Sequence, residues 1–350
     1  MFNMNFSDII GQRQVIDGLK SSVKNNRVGH AYIFEGPAGI GKQTIASLFA
    51  SALVCSADQS SSKKAGEPCG SCRDCIKSRS GNHPDIQELR VASSNRSSAG
   101  IGVDMIRELQ RDIYVKPYEA NKKIYIIPRA ERMTIQAQNS LLKVLEEPPV
   151  YGMIILTVEN AARLLETILS RAVLIRFRIH PQKEVEAFLS KHYPDLKDEI
   201  PVLAAFSGGI IGKAEGMATS EEFRTMRWDA VGIMMKLLSE NELDILQTVN
   251  YFVENKHQVN EILDFLLSLF RDIIFIKELH NENRIINRDM RPQLKEFSQR
   301  VFSGAIASIM NCLLDTKKKI SMNVNYTLAI ETMLMKSWED IHGRSSRRAI

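Results

Sequence analysis

The stretch "YIFEGPAGIGK", residues 32–42, constrains this chain more than any other. Its apolar opening predicts a buried strand, its glycines a tight loop, and the residues after Lys42 a helix. A strand, a glycine loop, a lysine and a helix in that order form a phosphate-binding loop. Backbone N–H groups of Gly39, Ile40 and Gly41 can point at phosphate oxygens, and Lys42 can reach the β- and γ-phosphates. Gly36, Gly39, Gly41 and Lys42 are therefore candidate nucleotide-binding residues. The metal side of the loop is altered. Gln43 stands where a Ser or Thr would hold Mg²⁺, and the hydroxyl arrives one residue late, as Thr44. Neighbouring helical residues point about 100° apart, so Thr44 belongs to the candidate set only in a degenerate sense.

A second position tests the same chemistry. Phosphate-loop ATPases place a carboxylate at the end of a buried strand to hold Mg²⁺, and one class follows it with a catalytic Glu. The matching strand here is "KIYIIPRAERM". Pro128 and Arg129 occupy the two acidic positions, and Glu131 lies three residues past the first. Two independent metal-handling positions are lost. The expectation is no hydrolysis in place, with nucleotide binding left open.

The first half of the chain alternates short β-rich runs (30–36, 85–90, 123–128, 152–158 and 173–178) with helical segments at 42–54, 103–113, 134–147 and 161–168. Nearly continuous apolar strands separated by helices predict an α/β fold around a parallel sheet. Pro148-Pro149 ends the helix that closes with "LLKVLEE". After about residue 180 the strands vanish. "FSGGIIGKAEGM", 206–217, reads as a glycine turn feeding a helix, and 221–340 keeps helical spacing throughout. Polar, low-complexity stretches at 56–68, 93–100 and the basic end "GRSSRRAI" read as solvated loops and a frayed end.

Four of the five cysteines lie between positions 55 and 75. "CGSCRDC" supplies Cys69, Cys72 and Cys75, and Cys55 ends the helix that leaves the phosphate loop. Four thiolates suit a closed, structural Zn²⁺ site. An iron–sulfur cluster and free thiols are the alternatives, and His83 in "GNHPD" could replace one cysteine. Cys312, alone in an apolar stretch, reads as a small buried hydrophobe.

Composition excludes little: 44% hydrophobic, 25% charged and a net charge of +5 describe an ordinary globular chain. No apolar run approaches the roughly 18 residues of a membrane span, and "MFNMNFSDIIGQ" has no secretory pattern, so the cytoplasm is the expected compartment. Basic residues around the cysteines (Lys63, Lys64, Arg73, Lys77, Arg79) leave open a second reading, a DNA-binding zinc element on a relic domain. "TILSRAVLIRF" places Arg171 just before the last strand, in a loop of the kind that supplies an arginine finger to a neighbour's γ-phosphate or simply carries a surface arginine.

"IIGQ", "HAYIFEGPAGIGK", the cysteine cluster, "HPD", "AQNSLLKVLEEPP" and "TILSRA" together resemble the bacterial clamp-loader subunits, AAA+ proteins of the DNA polymerase III holoenzyme. The resemblance spans about residues 5–220. It implies an AAA+ α/β domain (1–179) with a zinc-binding insertion (55–75), a helical lid (180–220) and a helical oligomerising collar (221–350). It implies that Cys55, Cys69, Cys72 and Cys75 are zinc ligands, and that Arg171 completes the ATP site of the adjacent motor subunit in trans, with Ala172 in place of the motif's usual Cys. The implied partners are gamma/tau motor and delta subunits in a hetero-pentamer, and through them the sliding clamp and primer-template DNA. Gly212 stands where a motor subunit would carry a nucleotide-touching Arg. The degenerate loop points to a non-hydrolysing member, the alternative being a gamma/tau-like motor.

Overall fold

A computed structural model of the chain describes residues 5–57, 66–89, 100–279, 284–322 and 324–343. Much of the polar stretches, Arg90, Lys63, Lys64 and nearly all of the basic C-terminal end lie outside the described residues. The chain divides into two compact units, Met1–Phe188 with Gly208–Lys213, and Leu189–Ser207 with Ala214–Ile350. The segment expected as a lid, 180–220, is thus shared between them.

The first unit runs α1 (Arg13–Lys24), β1 (Ala31–Glu35), α2 (Lys42–Val54), α3 (Arg73–Arg79), β2 (Ile86–Glu88), α4 (Val103–Ile113), β3 (Lys123–Ile127), α5 (Ile135–Glu146), β4 (Gly152–Val158), α6 (Glu166–Leu169), β5 (Val173–Arg176) and α7 (Gln182–His192, whose last turn belongs to the second unit). The five strands form one parallel sheet in the order β2-β3-β4-β1-β5. Side chains alternate across it, as the two-residue strand period requires. Tyr32, Phe34, Ile124, Ile126, Met153 and Ile155 pack with Ile16 and Leu19 of α1 and Ile45 and Phe49 of α2. Ile33, Tyr125, Ile127, Ile154 and Leu156 pack with Leu109 of α4 and Leu141 and Leu145 of α5. Both faces are therefore covered, which is why these strands read as continuous apolar runs. Each such side chain contributes about 1.5–3 kcal/mol on burial.

One expectation needs correcting. Residues 161–168 form no continuous helix but a 3-10 turn, Ala161–Arg163, then the four-residue α6. Leu164 and Leu165 are extended between them, and the Leu165 N–H is taken by Oε1 of buried Gln138 on α5 at 2.9 Å. That bond removes the amide from the helical ladder.

The second unit holds α8 (Ile200–Phe206), α9 (Ile211–Thr219, whose first turn belongs to the first unit), α10 (Glu221–Lys236), α11 (Glu242–Glu254), α12 (Val259–Glu278), α13 (Arg291–Arg300), α14 (Ser303–Ser321) and α15 (Tyr326–His342). Its core is one apolar cluster built from α8 and from α10 to α15. Inside it Arg227 is 1% exposed and is neutralised by Glu199 at 3.0 Å and Asp289 at 2.8 Å. No helix among the described residues is long and apolar enough to cross a membrane.

Candidate functional site

The phosphate loop leaves β1, an interior strand between β4 and β5, at its carboxyl end, where open α/β folds place ligands. Lys42 begins α2 and is 9% exposed. Its ammonium donates to the loop's own carbonyls, Gly36 O at 2.5 Å and Pro37 O at 2.8 Å. Burial pulls its pKa down, and the charges of Glu159 and Glu131 act against that pull. Gly39 has φ +77°, which only glycine adopts without strain, and its carbonyl accepts the Gly212 N–H at 3.0 Å. A Cβ on Gly212 would lie 2.8 Å from that same oxygen. The 208–213 segment therefore sits directly on the phosphate loop.

The metal positions contain what the sequence put there. Gln43 follows Lys42 on α2, and both polar atoms of its amide are buried without a hydrogen-bond partner among the described residues. Thr44 is exposed and lines a cavity of about 1000 Å³ with Cys75, His83 and Glu88. β3 ends at Ile127; Pro128 follows, and Arg129 turns the chain at φ +49°, its N–H donating to Thr157 Oγ1 at 3.3 Å. No carboxylate occupies that strand end. Glu131, set aside by its spacing, is brought close enough to act on Lys42, as is Glu159. The sequence spacing concealed both, because neither falls at a motif position.

The four cysteines converge. The Cys55–Cys72 and Cys69–Cys75 sulfurs are each 3.9 Å apart, and all four lie within 4.8 Å of one another. A tetrahedron with Zn–S of about 2.3 Å has S···S separations of about 3.8 Å, so the donor set fits Zn²⁺ in both chemistry and size. The knuckle forms locally: Cys72 caps the start of α3, its sulfur accepting the Cys75 N–H at 3.4 Å, and the Cys72 N–H donates to Cys69 Sγ at 3.3 Å. Burial acts against ionisation at Cys69, but the Ser71 and Cys72 N–H groups outweigh it and bring the thiol to about 6. Burial pushes the Cys55 and Cys75 thiols up. A cation would supply the compensation those two lack.

His83 does not join the sulfurs. Its ring groups with Asp74 and Glu119, and Nδ1 accepts the Asp85 N–H at 3.1 Å. Asp85 is the residue that sequence reasoning passed over within "HPD". Fully buried, its carboxylate accepts the N–H groups of Tyr118, Glu119 and Ala120 at 2.6, 2.8 and 2.9 Å. Burial raises its pKa, but these donors outweigh it and hold the carboxyl below its ordinary range. Glu119 in turn pairs with Lys77 and Arg73 of α3, and Arg79 donates to Gly70 O. Three of the basic residues near the cysteines are thus engaged within the protein.

Arg171 follows α6 and is 35% exposed. Its guanidinium donates to Thr167 O at 3.0 Å and Ser170 Oγ at 3.2 Å, and lies 2.9 Å from Glu146 Oε1. Ala172 packs against the sheet core.

Comparison with known proteins follows the same lines. Residues 11–181 match the family described as DNA polymerase III, delta subunit, and residues 233–339 match DNA polymerase III, delta subunit, C terminal. DNA polymerase III subunit delta' of Bacillus subtilis is 30% identical over 328 residues, covering 93% of this chain and 95% of that protein. Subunit tau of the same organism is 25% identical over 362 residues, covering 96% of this chain and 62% of that protein. A solved gamma subunit-related protein of Thermotoga maritima aligns over 93% of this chain and 99% of its own at 20% identity and a TM-score of 0.40, a likeness that adds nothing to the sequence match.

Proposed function

Because the chain belongs to the DNA polymerase III delta' family and is a delta'-like clamp-loader subunit, we propose that it works in that complex as a non-hydrolysing member which lends Arg171 to a neighbour's ATP site. The observation that carries this reading is the phosphate loop itself. Gln43 replaces the Mg²⁺ hydroxyl and the end of β3 has no carboxylate. The remaining phosphate-binding elements, Gly36, Gly39, Gly41 and Lys42, could still cradle a nucleotide, but the positions that would hold the metal and activate water carry Gln43, Pro128 and Arg129 instead. Such a subunit contributes through position and charge. A half-exposed guanidinium just past α6 has the chemistry to stabilise charge on a transferring phosphoryl group when presented from a neighbouring subunit.

Zn²⁺ held by Cys55, Cys69, Cys72 and Cys75 would cross-link the end of α2 to α3 and leave no open coordination position, so its contribution is structural. The helical unit is read as the oligomerising collar, joining gamma/tau-type and delta-type subunits in a pentamer that places the sliding clamp on primed DNA.

The test uses the isolated chain and the complex reconstituted with its tau/gamma-type and delta-type partners. The isolated chain is expected to show no Mg²⁺-dependent ATP hydrolysis, and Lys42→Ala to change nothing. Arg171→Ala is expected to lower the ATPase and clamp loading of the assembled complex by about 10²-fold or more at the affected site, without dissolving it. Hydrolysis by the isolated chain that Lys42→Ala abolishes would establish a motor instead.

A further inference from the structure

The pairing of Arg171 with Glu146 asks for a reason that stability does not supply. Both side chains are substantially exposed, 35% and 50%, and an exposed ion pair contributes little to folding. Glu146 is also badly placed for the fold. It is the last residue of α5, and Glu147 follows. Two carboxylates thus sit at the helix end whose exposed carbonyls already carry negative potential. Lys143 in the same turn forms no ion pair with either among the described residues.

The mounting of the two partners differs. α5 is a rigid element: Thr134 caps its start, Leu141, Val144 and Leu145 bury its face, and Pro148-Pro149 ends it. Arg171 instead hangs from a helix of four residues. Two acceptors, Thr167 O and Ser170 Oγ, hold its guanidinium through Nη1, and Nη2 lies 2.9 Å from Glu146 Oε1 as an ion pair. Nε and Nη2 make no hydrogen bond among the described residues, Nη2 being held by charge alone.

We propose that Glu146 is a positioning residue: its carboxylate, fixed at the end of α5, orients Arg171 so that the unused donors meet the γ-phosphate of a neighbouring subunit. The inference rests on the reading of Arg171 as a trans-acting finger. Without Glu146 the guanidinium keeps only its contacts within its own turn, and must lose more conformational freedom each time it engages.

The experiment measures steady-state ATP hydrolysis of the reconstituted complex with clamp and primed DNA, using Glu146→Ala, Glu146→Gln, Arg171→Ala and the Glu146→Ala/Arg171→Ala pair. Glu146→Ala is expected to lower kcat about three- to tenfold with KM for ATP unchanged, which is the scale of freezing one long side chain. Glu146→Gln, which keeps an acceptor oxygen, should lie between it and the parent. The double variant should be no slower than Arg171→Ala alone, since Glu146 then has nothing to orient. Thermal melting of each variant should match the parent. A parental kcat in Glu146→Ala, or a double variant slower than Arg171→Ala by the full Glu146→Ala factor, overturns the positioning role while leaving the finger standing. An Arg171→Ala complex at parental rate removes the finger itself, and the positioning role with it.

Discussion

Asp85→Asn tests how the cysteine module is fastened to the sheet. The substitution keeps the shape of the side chain and removes its charge. Asp85 accepts three backbone N–H groups, from Tyr118 on one oxygen and from Glu119 and Ala120 on the other. Asparagine has one acceptor oxygen. If that oxygen serves Glu119 and Ala120, the new NH₂ group faces the Tyr118 N–H, donor against donor. One charge-assisted bond is lost, at about 1.5–3 kcal/mol, and two fall to neutral strength, at about 0.5–1 kcal/mol each. The easier burial of a neutral amide offsets part of this, leaving a net loss of about 2–4 kcal/mol. Donors hold the folded carboxyl below its ordinary range, so the unfolded chain binds the proton more readily. The stabilisation is therefore fully present above the unfolded value of about 3.9 and is lost as pH falls through the folded value. Urea unfolding followed by far-UV circular dichroism measures the difference; both tryptophans, Trp228 and Trp338, lie in the helical unit and do not report on this one. Hydrogen exchange at the amides of residues 118–120 reads the loss locally. A difference below 1 kcal/mol at pH 7, unchanged exchange at those amides, or a difference that widens below pH 4 would refute the reasoning.

Three further outcomes are expected. Cys75→Ser should reduce bound zinc from about one ion per chain to none, measured by elemental analysis, and chelation of the parent should mainly destabilise the first unit; a refolded parent that takes up no zinc contradicts the site. Arg227→Ala leaves Glu199 and Asp289 without their buried partner and should cost about 3–5 kcal/mol in denaturant unfolding. Gly212→Ala should destabilise by about 1–3 kcal/mol in thermal or urea unfolding, because the new Cβ would meet Gly39 O at 2.8 Å, even though alanine favours the helix by about 1 kcal/mol; a more stable variant would mean the two segments do not meet.

The sheet was legible because burial on both faces leaves a one-dimensional trace: β1, β3 and β4 are apolar along nearly their whole length. The order β2-β3-β4-β1-β5 has no such trace, since each strand's neighbours are set by crossovers. The helix end at Pro148 and the capped start at Thr134 follow from local chemistry, whereas the break at Leu165 depends on Gln138, 27 residues away. The site divides the same way. Cysteine spacing within one turn announces a knuckle, and the glycines announce the loop. Asp85, Glu131, Glu159 and Glu146 act on groups that the fold, not the sequence, brings near them. Acidic residues doubled at a helix C-terminus were the one available signal for Glu146.

The seat of Gly212 on Gly39 also bears on reversibility. A lineage that regained a hydroxyl at position 43 would still have Pro128 and Arg129 at the end of β3. One that placed a long side chain at 212 would first drive it into the carbonyl of Gly39. Restoring a hydroxyl at 43 and a carboxylate after β3 would therefore leave this close contact untouched, so packing constrains position 212 independently of the metal positions.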